Sequence, residues 1–210
     1  MVKFLAEWFT AGGPFMWAIL AVLAFSCAVF AERLFFYYLV CGRRGNQIVS
    51  KLAGFLNDNK TGEADKLLKR GNAPLLVLLR TALDRFSSGV TADEVQEGVE
   101  ETAIIQVPRL SQRLNYLSLF ANIATLLGLL GTITGLQLSF SSLATVDAAQ
   151  KASLLASGIS QAMITTAFGL IVAIPCMVAY TFLVNKQNQL TKDLDQSVVK
   201  FLNYLKKKSS

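Results

Sequence analysis

Threonine, serine and glycine recur at intervals of three and four along two long uncharged stretches, and residues at that spacing share one face of a helix. The first stripe is Thr125, Gly128, Thr132, Gly135, Ser139 and Ser142; the second is Ser153, Ser157, Gln161, Thr165 and Gly169, with Thr166 beside it. Hydroxyls and an amide stacked at mid-membrane can relay a proton or a hydrated cation. They can also simply pack helices: Gly131 and Gly135 form a small-xxx-small pair, and Ser or Thr hydrogen bonds between helices in lipid are worth ~1 kcal/mol. The packing reading leads for Gly128, Gly131 and Gly135, and the ion-path reading for Thr132, Thr166 and Gln161, with Thr125 and Thr165 on the same faces. Neither stretch contains a carboxylate, so these helices cannot hold a titrating proton by themselves.

The elements that carry the stripes must be membrane spans. No Asp, Glu, Lys or Arg occurs from 114 to 146 or from 152 to 185, and each stretch exceeds the roughly 20 residues that a spanning helix needs. A third apolar run covers 14–31 and is followed by Glu32, Arg33 and an aromatic-rich end at 34–40, the pattern of a span with an interfacial aromatic cuff. A cleaved signal peptide fits less well, because the run begins after Pro14 with only Lys3 before it. Pro175 lacks an amide hydrogen and predicts a kink, or one missing backbone bond, in the third span. With 53% hydrophobic and 16% charged residues, the chain is too apolar for an ordinary soluble domain. The expected fold is an all-α membrane protein of three transmembrane helices, assembled as an oligomeric pore bundle.

Basic residues set the orientation. One lysine, Lys3, precedes the first span and one, Lys151, joins the second and third. The segment between the first two spans carries ten basic residues, Arg43, Arg44, Lys51, Lys60, Lys66, Lys69, Arg70, Arg80, Arg85 and Arg109; the tail adds Lys186, Lys192, Lys200, Lys206, Lys207 and Lys208. The positive-inside rule then predicts an N-out, C-in topology. The expected divisions are an outward amino end at 1–13, spans at 14–40, 113–145 and 153–185, a cytoplasmic helical insert at 41–112, an outward loop at 146–152 and a basic amphipathic tail at 186–210. The net charge of +6 follows from topology and contact with lipid headgroups. Its basic residues lack interleaved aromatics, which argues against nucleic acid as a partner.

Zinc chemistry is excluded by the lack of histidine and of any ligand spacing among Cys27, Cys41 and Cys176. No Walker or dinucleotide loop is present, so neither a nucleotide nor another cofactor is expected, and the chain does not read as an enzyme. The insert reads instead as short amphipathic helices. Ile48, Val49, Leu52, Phe55 and Leu56 share a face, which 57–59 interrupts; a second helix is expected at 63–70, and Pro74 opens a third that runs through 75–86. Thr91 and Glu94 form a capping-box pattern for a fourth, running to about Pro108. From 109 to 143 the spacing predicts one helix of ~50 Å, longer than the ~30 Å hydrocarbon core. Leu190, Leu194, Val198, Phe201 and Leu205 extend the third span as an amphipathic helix.

The segments 128–135 (GLLGTITG) and 159–175 (ISQAMITTAFGLIVAIP), with Gly12, Gly13, Pro14, Phe15, Met16 and Trp17 at the opening and Glu32, Arg33 and Leu34 ending the first span, resemble the MotA/TolQ/ExbB proton-channel family, nearest its ExbB- and TolQ-like members. The resemblance covers essentially the whole chain. It implies a homopentamer whose second and third spans enclose a dimer of a single-span ExbD/TolR-like protein carrying a membrane aspartate, with a TonB/TolA-like protein as a further partner, in the bacterial inner membrane. By motif position Thr132 and Thr166 match the family's pore-facing threonines. Gln161 matches a position that is glutamate in many members; glutamine cannot ionise, which leaves the partner's aspartate as the sole membrane acid. Glu32 and Arg33 read as an interfacial pair or a contact between subunits, and Gly169 and Pro175 as packing positions. The expected function is the stator of an ion-driven motor that energises outer-membrane transport. The alternatives are envelope maintenance, gliding or secretion, or a non-conducting scaffold; a solute transporter fits less well, because the spans show no inverted repeat.

Overall fold

A computed structural model describes residues 9, 12–42, 45–58, 60–144 and 146–209. Most of the amino end expected to face outward, with Lys3, the basic pair Arg43 and Arg44, Asn59 of the expected helix interruption and Thr145 lie outside the described residues. The described residues contain helices and no strand: α1 (Phe15–Phe35) running into a π-helical turn at Phe36–Val40, α2 (Gly45–Asn57), α3 (Thr61–Leu68), α4 (Pro74–Ser87), α5 (Ala92–Gln106), the short α6 (Pro108–Ser111), α7 (Leu114–Ser142) and α8 (Ala148–Ser209). Three helical stretches are long and apolar enough to cross a membrane, with mean hydropathies of 2.1, 1.7 and 2.3 over their most apolar windows.

The chain divides into two units, 1–31 with 113–181, and 32–112 with 182–210. The first is the apolar one. Ile19, Ala121, Ala124, Val172, Ala173 and Cys176 form its core, with Val22, Leu23 and Leu127 packed against them. The small side chains in this set let backbones approach closely, which is how helices gain packing energy in a solvent as apolar as themselves. Leu126, Leu129, Ile133, Leu138 and Met163 stay exposed on the chain by itself, the arrangement expected where lipid or another subunit covers the surface.

The second unit has an ordinary water-side core. Leu52, Leu56, Leu68, Leu79, Ala82, Val95 and Val99 from α2–α5 pack with Leu194, Phe201 and Leu205 of α8. Local signals set its boundaries. Pro74 occupies the first turn of α4, where its missing amide costs nothing. Thr91 caps α5 reciprocally: its Oγ1 accepts from the Glu94 amide at 3.3 Å, and its own amide donates to the Glu94 carboxylate at 2.8 Å. The tail is fastened by Tyr204, whose hydroxyl lies within donating distance of Asn57 Oδ1 at 2.6 Å and of the Ala53 carbonyl at 3.2 Å, and by Lys208, which donates to the Leu56 carbonyl.

Several boundaries differ from the sequence reading, and α8 begins at Ala148, inside the expected loop 146–152. The helix expected from 109 onward is divided: α6 stops at Ser111, Gln112 is extended, and Arg113 adopts a left-handed conformation at φ 61° before α7 begins at Leu114. A left-handed non-glycine residue is sterically costly, and no propensity scale marks an arginine for it. The helix expected at 63–70 is Thr61–Leu68. At Pro175, α8 continues as one helix.

Candidate functional site

The two stripes meet. Within the apolar unit α7 and α8 cross antiparallel, so that contacts rising along one helix fall along the other. A Cβ built on Gly169 would stand 2.7 Å from the Ala124 carbonyl oxygen and 3.1 Å from the Gly128 Cα; one on Gly128 would stand 3.2 Å from the Thr166 Cα. Gly131 faces the Thr165 side chain, Gly135 faces Ala162 at 3.4 Å, and Gly158 receives the Ser139 hydroxyl. Backbone therefore touches backbone over about four turns, a separation only glycine and alanine permit.

The hydroxyls divide into those that join elements and those that turn back on their own helix. Thr166 Oγ1 donates across the crossing to the Gly128 carbonyl at 3.1 Å. Thr165, fully enclosed, lies within donating distance of the Gly12 carbonyl at 2.8 Å and of Gln161 in its own helix at 2.9 Å. Thr132 donates to Leu129 at 2.6 Å, Thr125 to Ala121 at 3.0 Å and Ser139 to Gly135 at 3.0 Å, all within α7. Thr132, Thr166 and Gln161 are half-buried and Thr125 is exposed. Pro175 is exposed on α8.

Gln161 abuts the turn that leads into α1. Gly13 there has φ +75°, a conformation that favours glycine, and its missing side chain leaves room for the Gln161 amide nitrogen. Gly12, Gly13, Gln161 and Thr165 thus form one small polar cluster at the start of α1. The sequence shows the two glycines but not their partners, since a hydroxyl that serves a carbonyl 153 residues away leaves no local pattern.

Glu32 and Arg33 lie in the other unit. Arg33 is 5% exposed; it pairs with Glu32 at 3.0 Å, donates to the Arg109 carbonyl at 3.4 Å and lies 5.4 Å from the centre of the Phe36 ring. Next to it the wider π-turn, closed by the Cys41 amide on the Phe36 carbonyl at 3.1 Å, accompanies a buried Tyr37 whose hydroxyl donates to Leu110. Arg33 and Tyr37 together thus hold the carbonyls of α6, just before the break at Arg113. Tyr37 was not among the residues singled out from the sequence, where it is one aromatic of a cuff.

Chemically, the crossing offers neutral donors and acceptors and no acid or base. A groove of about 670 Å³ lined by Ile159, Ser160, Met163, Ile164 and Ala167 opens along α8 beside the stripe. Among the described residues no group of His, Cys, Asp or Glu could hold a metal ion.

Comparison with known proteins agrees with this construction. The model of the MotA/TolQ/ExbB proton channel family matches residues 70–196, which includes both stripes. Biopolymer transport protein ExbB-like 3 of Synechocystis is 31% identical over 165 residues, covering 78% of this chain and 77% of its own. Biopolymer transport protein exbB1 of Vibrio cholerae is 29% identical over 174 residues, 79% of this chain and 72% of its own. The Tol-Pal system protein TolQ of Pseudomonas aeruginosa is 38% identical over 100 residues, 46% of this chain and 43% of its own. With three membrane-length helices and the matched stripes at their crossing, this chain belongs to the MotA/TolQ/ExbB proton channel family.

Proposed function

We propose that the chain is the channel-forming stator subunit of a motor driven by the proton-motive force in the bacterial inner membrane, an ExbB-like protein that energises outer-membrane transport. In this reading five copies surround a dimer of a single-span ExbD/TolR-like protein, to which a TonB/TolA-like protein couples. The amino end faces outward, and the basic insert and tail face the cytoplasm. One observation carries the reading: the α7–α8 crossing combines a polar stripe with a complete lack of carboxylates over 114–146 and 152–185. A conducting path built from these helices needs its titrating group from another chain.

Thr125, Thr132, Gln161 and Thr166 flank the path, and Thr165 stands behind them, holding the wall through Gly12. Thr132 and Thr125 spend their donors on their own helix and can turn them toward a passing carboxylate at the cost of one weak intrahelical bond. Gln161 offers an amide where an acid would compete for the proton. The groove along Ile159 and Met163 suits an apolar helix of the partner or of the adjacent subunit. Glu32 and Arg33 serve as an interfacial pair.

Native mass spectrometry of the detergent-purified protein, alone and co-expressed with a single-span protein bearing a membrane aspartate, tests the assembly. A pentamer that takes up two partner copies supports the reading, and a monomer or dimer that ignores the partner overturns it. Proton flux in liposomes then separates the motor from a non-conducting scaffold. A TolQ-like envelope-maintenance motor is the second reading, favoured by the 38% identity with a TolQ over 100 residues.

A further inference from the structure

We propose that a groove at the far end of α1, within the water-side unit, binds the phosphate of an anionic phospholipid headgroup. The groove has a volume of about 430 Å³, and Gly42, Gln47, Lys51 and Arg70 supply its polar lining, with Ile48 and Leu67 beside them. Its position fixes the kind of ligand. Gly42 follows the end of the π-turn at Val40 by two residues, where the apolar run of the first span stops. The same level carries the exposed aromatics Phe35 and Tyr38, with the Lys186 ammonium 5.3 Å from the centre of the Tyr38 ring, an arrangement characteristic of the membrane–water interface.

The lining has the chemistry of a phosphodiester site. Lys51 and Arg70 are exposed, no acidic residue lines the groove, and neither cation makes an ion pair among the described residues. Lys69, next to Arg70, is by contrast paired with Asp65. A guanidinium matches two phosphate oxygens in a fork, a lysine adds a point charge, and the Gln47 amide adds a neutral donor. Any side chain at position 42 would run into the Tyr38 carbonyl, so glycine keeps the wall beside the membrane edge clear. Ile48 and Leu67 give the glycerol an apolar surface. Two cations suit the single charge of a phosphodiester, whereas a nucleoside polyphosphate needs a cradle of backbone amides. Basic pockets on the cytoplasmic side of spans bind such headgroups. The site rests on placing the end of α1 at the membrane edge and is independent of the motor reading.

The test is native mass spectrometry of the full chain in detergent, titrated with phosphatidylglycerol or phosphatidylcholine, with and without excess inorganic phosphate. Phosphatidylglycerol is retained preferentially. Lys51→Gln and Arg70→Gln each weaken retention about fivefold and together roughly 25-fold, from ~1 kcal/mol per basic residue near an anionic surface. Lys207→Gln, on the tail, leaves it unchanged. Equal retention of phosphatidylcholine, or wild-type retention by the double variant, overturns the site. Displacement by inorganic phosphate overturns the lipid assignment in favour of a soluble anion. Loss of lipid preference in a variant that still assembles leaves the motor reading untouched, so the two proposals fail separately.

Discussion

Alanine substitution at two glycines of the same crossing should give opposite results. At Gly169 the new Cβ would meet the Ala124 carbonyl oxygen at 2.7 Å and the Gly128 Cα at 3.1 Å, both backbone atoms of a packed helix that cannot rotate away. At Gly135 the nearest neighbour is the Ala162 Cβ at 3.4 Å, close to the ~3.5–4.0 Å at which carbon pairs attract. Forcing an extra methyl into a filled site costs ~1–3 kcal/mol. Replacing glycine by alanine inside a helix returns ~1 kcal/mol, and that gain is common to both positions. It cancels when the variants are compared with each other, leaving Gly169→Ala less stable than Gly135→Ala by ~1–3 kcal/mol from the crossing alone. Unfolding in mixed micelles, driven by rising SDS and followed by circular dichroism, measures the difference directly. Gly169→Ala should unfold at lower SDS than wild type or level with it, and Gly135→Ala at equal or higher SDS. Coincident midpoints for the two variants would refute the backbone-contact geometry.

Thr166→Val removes the hydroxyl that bonds Gly128; given the small worth of such bonds in lipid, ~0.6 kcal/mol on average, the proposed assembly should survive, and proton flux in liposomes should be lost. Flux at wild-type level would remove Thr166 from the ion path. Thr91→Ala should cost ~1 kcal/mol at the start of α5, read as faster amide exchange in its first turn and not elsewhere. The same cap predicts a pH dependence: the Thr91 amide and hydroxyl hold the Glu94 carboxyl below its ordinary 4.5, so its contribution is complete above that value and is lost as pH falls through the lower folded-state one. The acid-side increase in exchange should be smaller in Thr91→Ala. Tyr37→Phe withdraws the donor from the buried Leu110 carbonyl and should destabilise the water-side unit by about 1–3 kcal/mol in chemical denaturation, with little effect on the α7–α8 crossing.

What the sequence disclosed depended on how local the cause was. Uncharged length exposes a membrane helix, the periods three and four put Gly128, Thr132 and Gly135 on a common face, and Thr91 with Glu94 spells a cap, because each of these is settled within a few turns. Pro74 likewise opens α4 as its chemistry requires. The break at Arg113 was invisible, since arginine has no local reason to be left-handed. The pairing of Thr165 with Gly12 was hidden for a related reason: a threonine on a stripe has one donor, and which carbonyl receives it is decided by tertiary packing. Tyr37 shows the same limit, as an aromatic in a cuff becomes a buried donor only because a π-turn and α6 come together around it.

The self-contained hydroxyls of the apolar unit bear on how a subunit is made. Ser26, Thr125, Thr132, Ser139, Thr165, Thr166 and Thr181 each donate to a carbonyl of their own chain. A newly synthesised copy leaving the insertion machinery therefore carries these groups into lipid already satisfied and does not need a waiting companion to shield them. Insertion of a subunit and its assembly into the proposed complex are then separable in time.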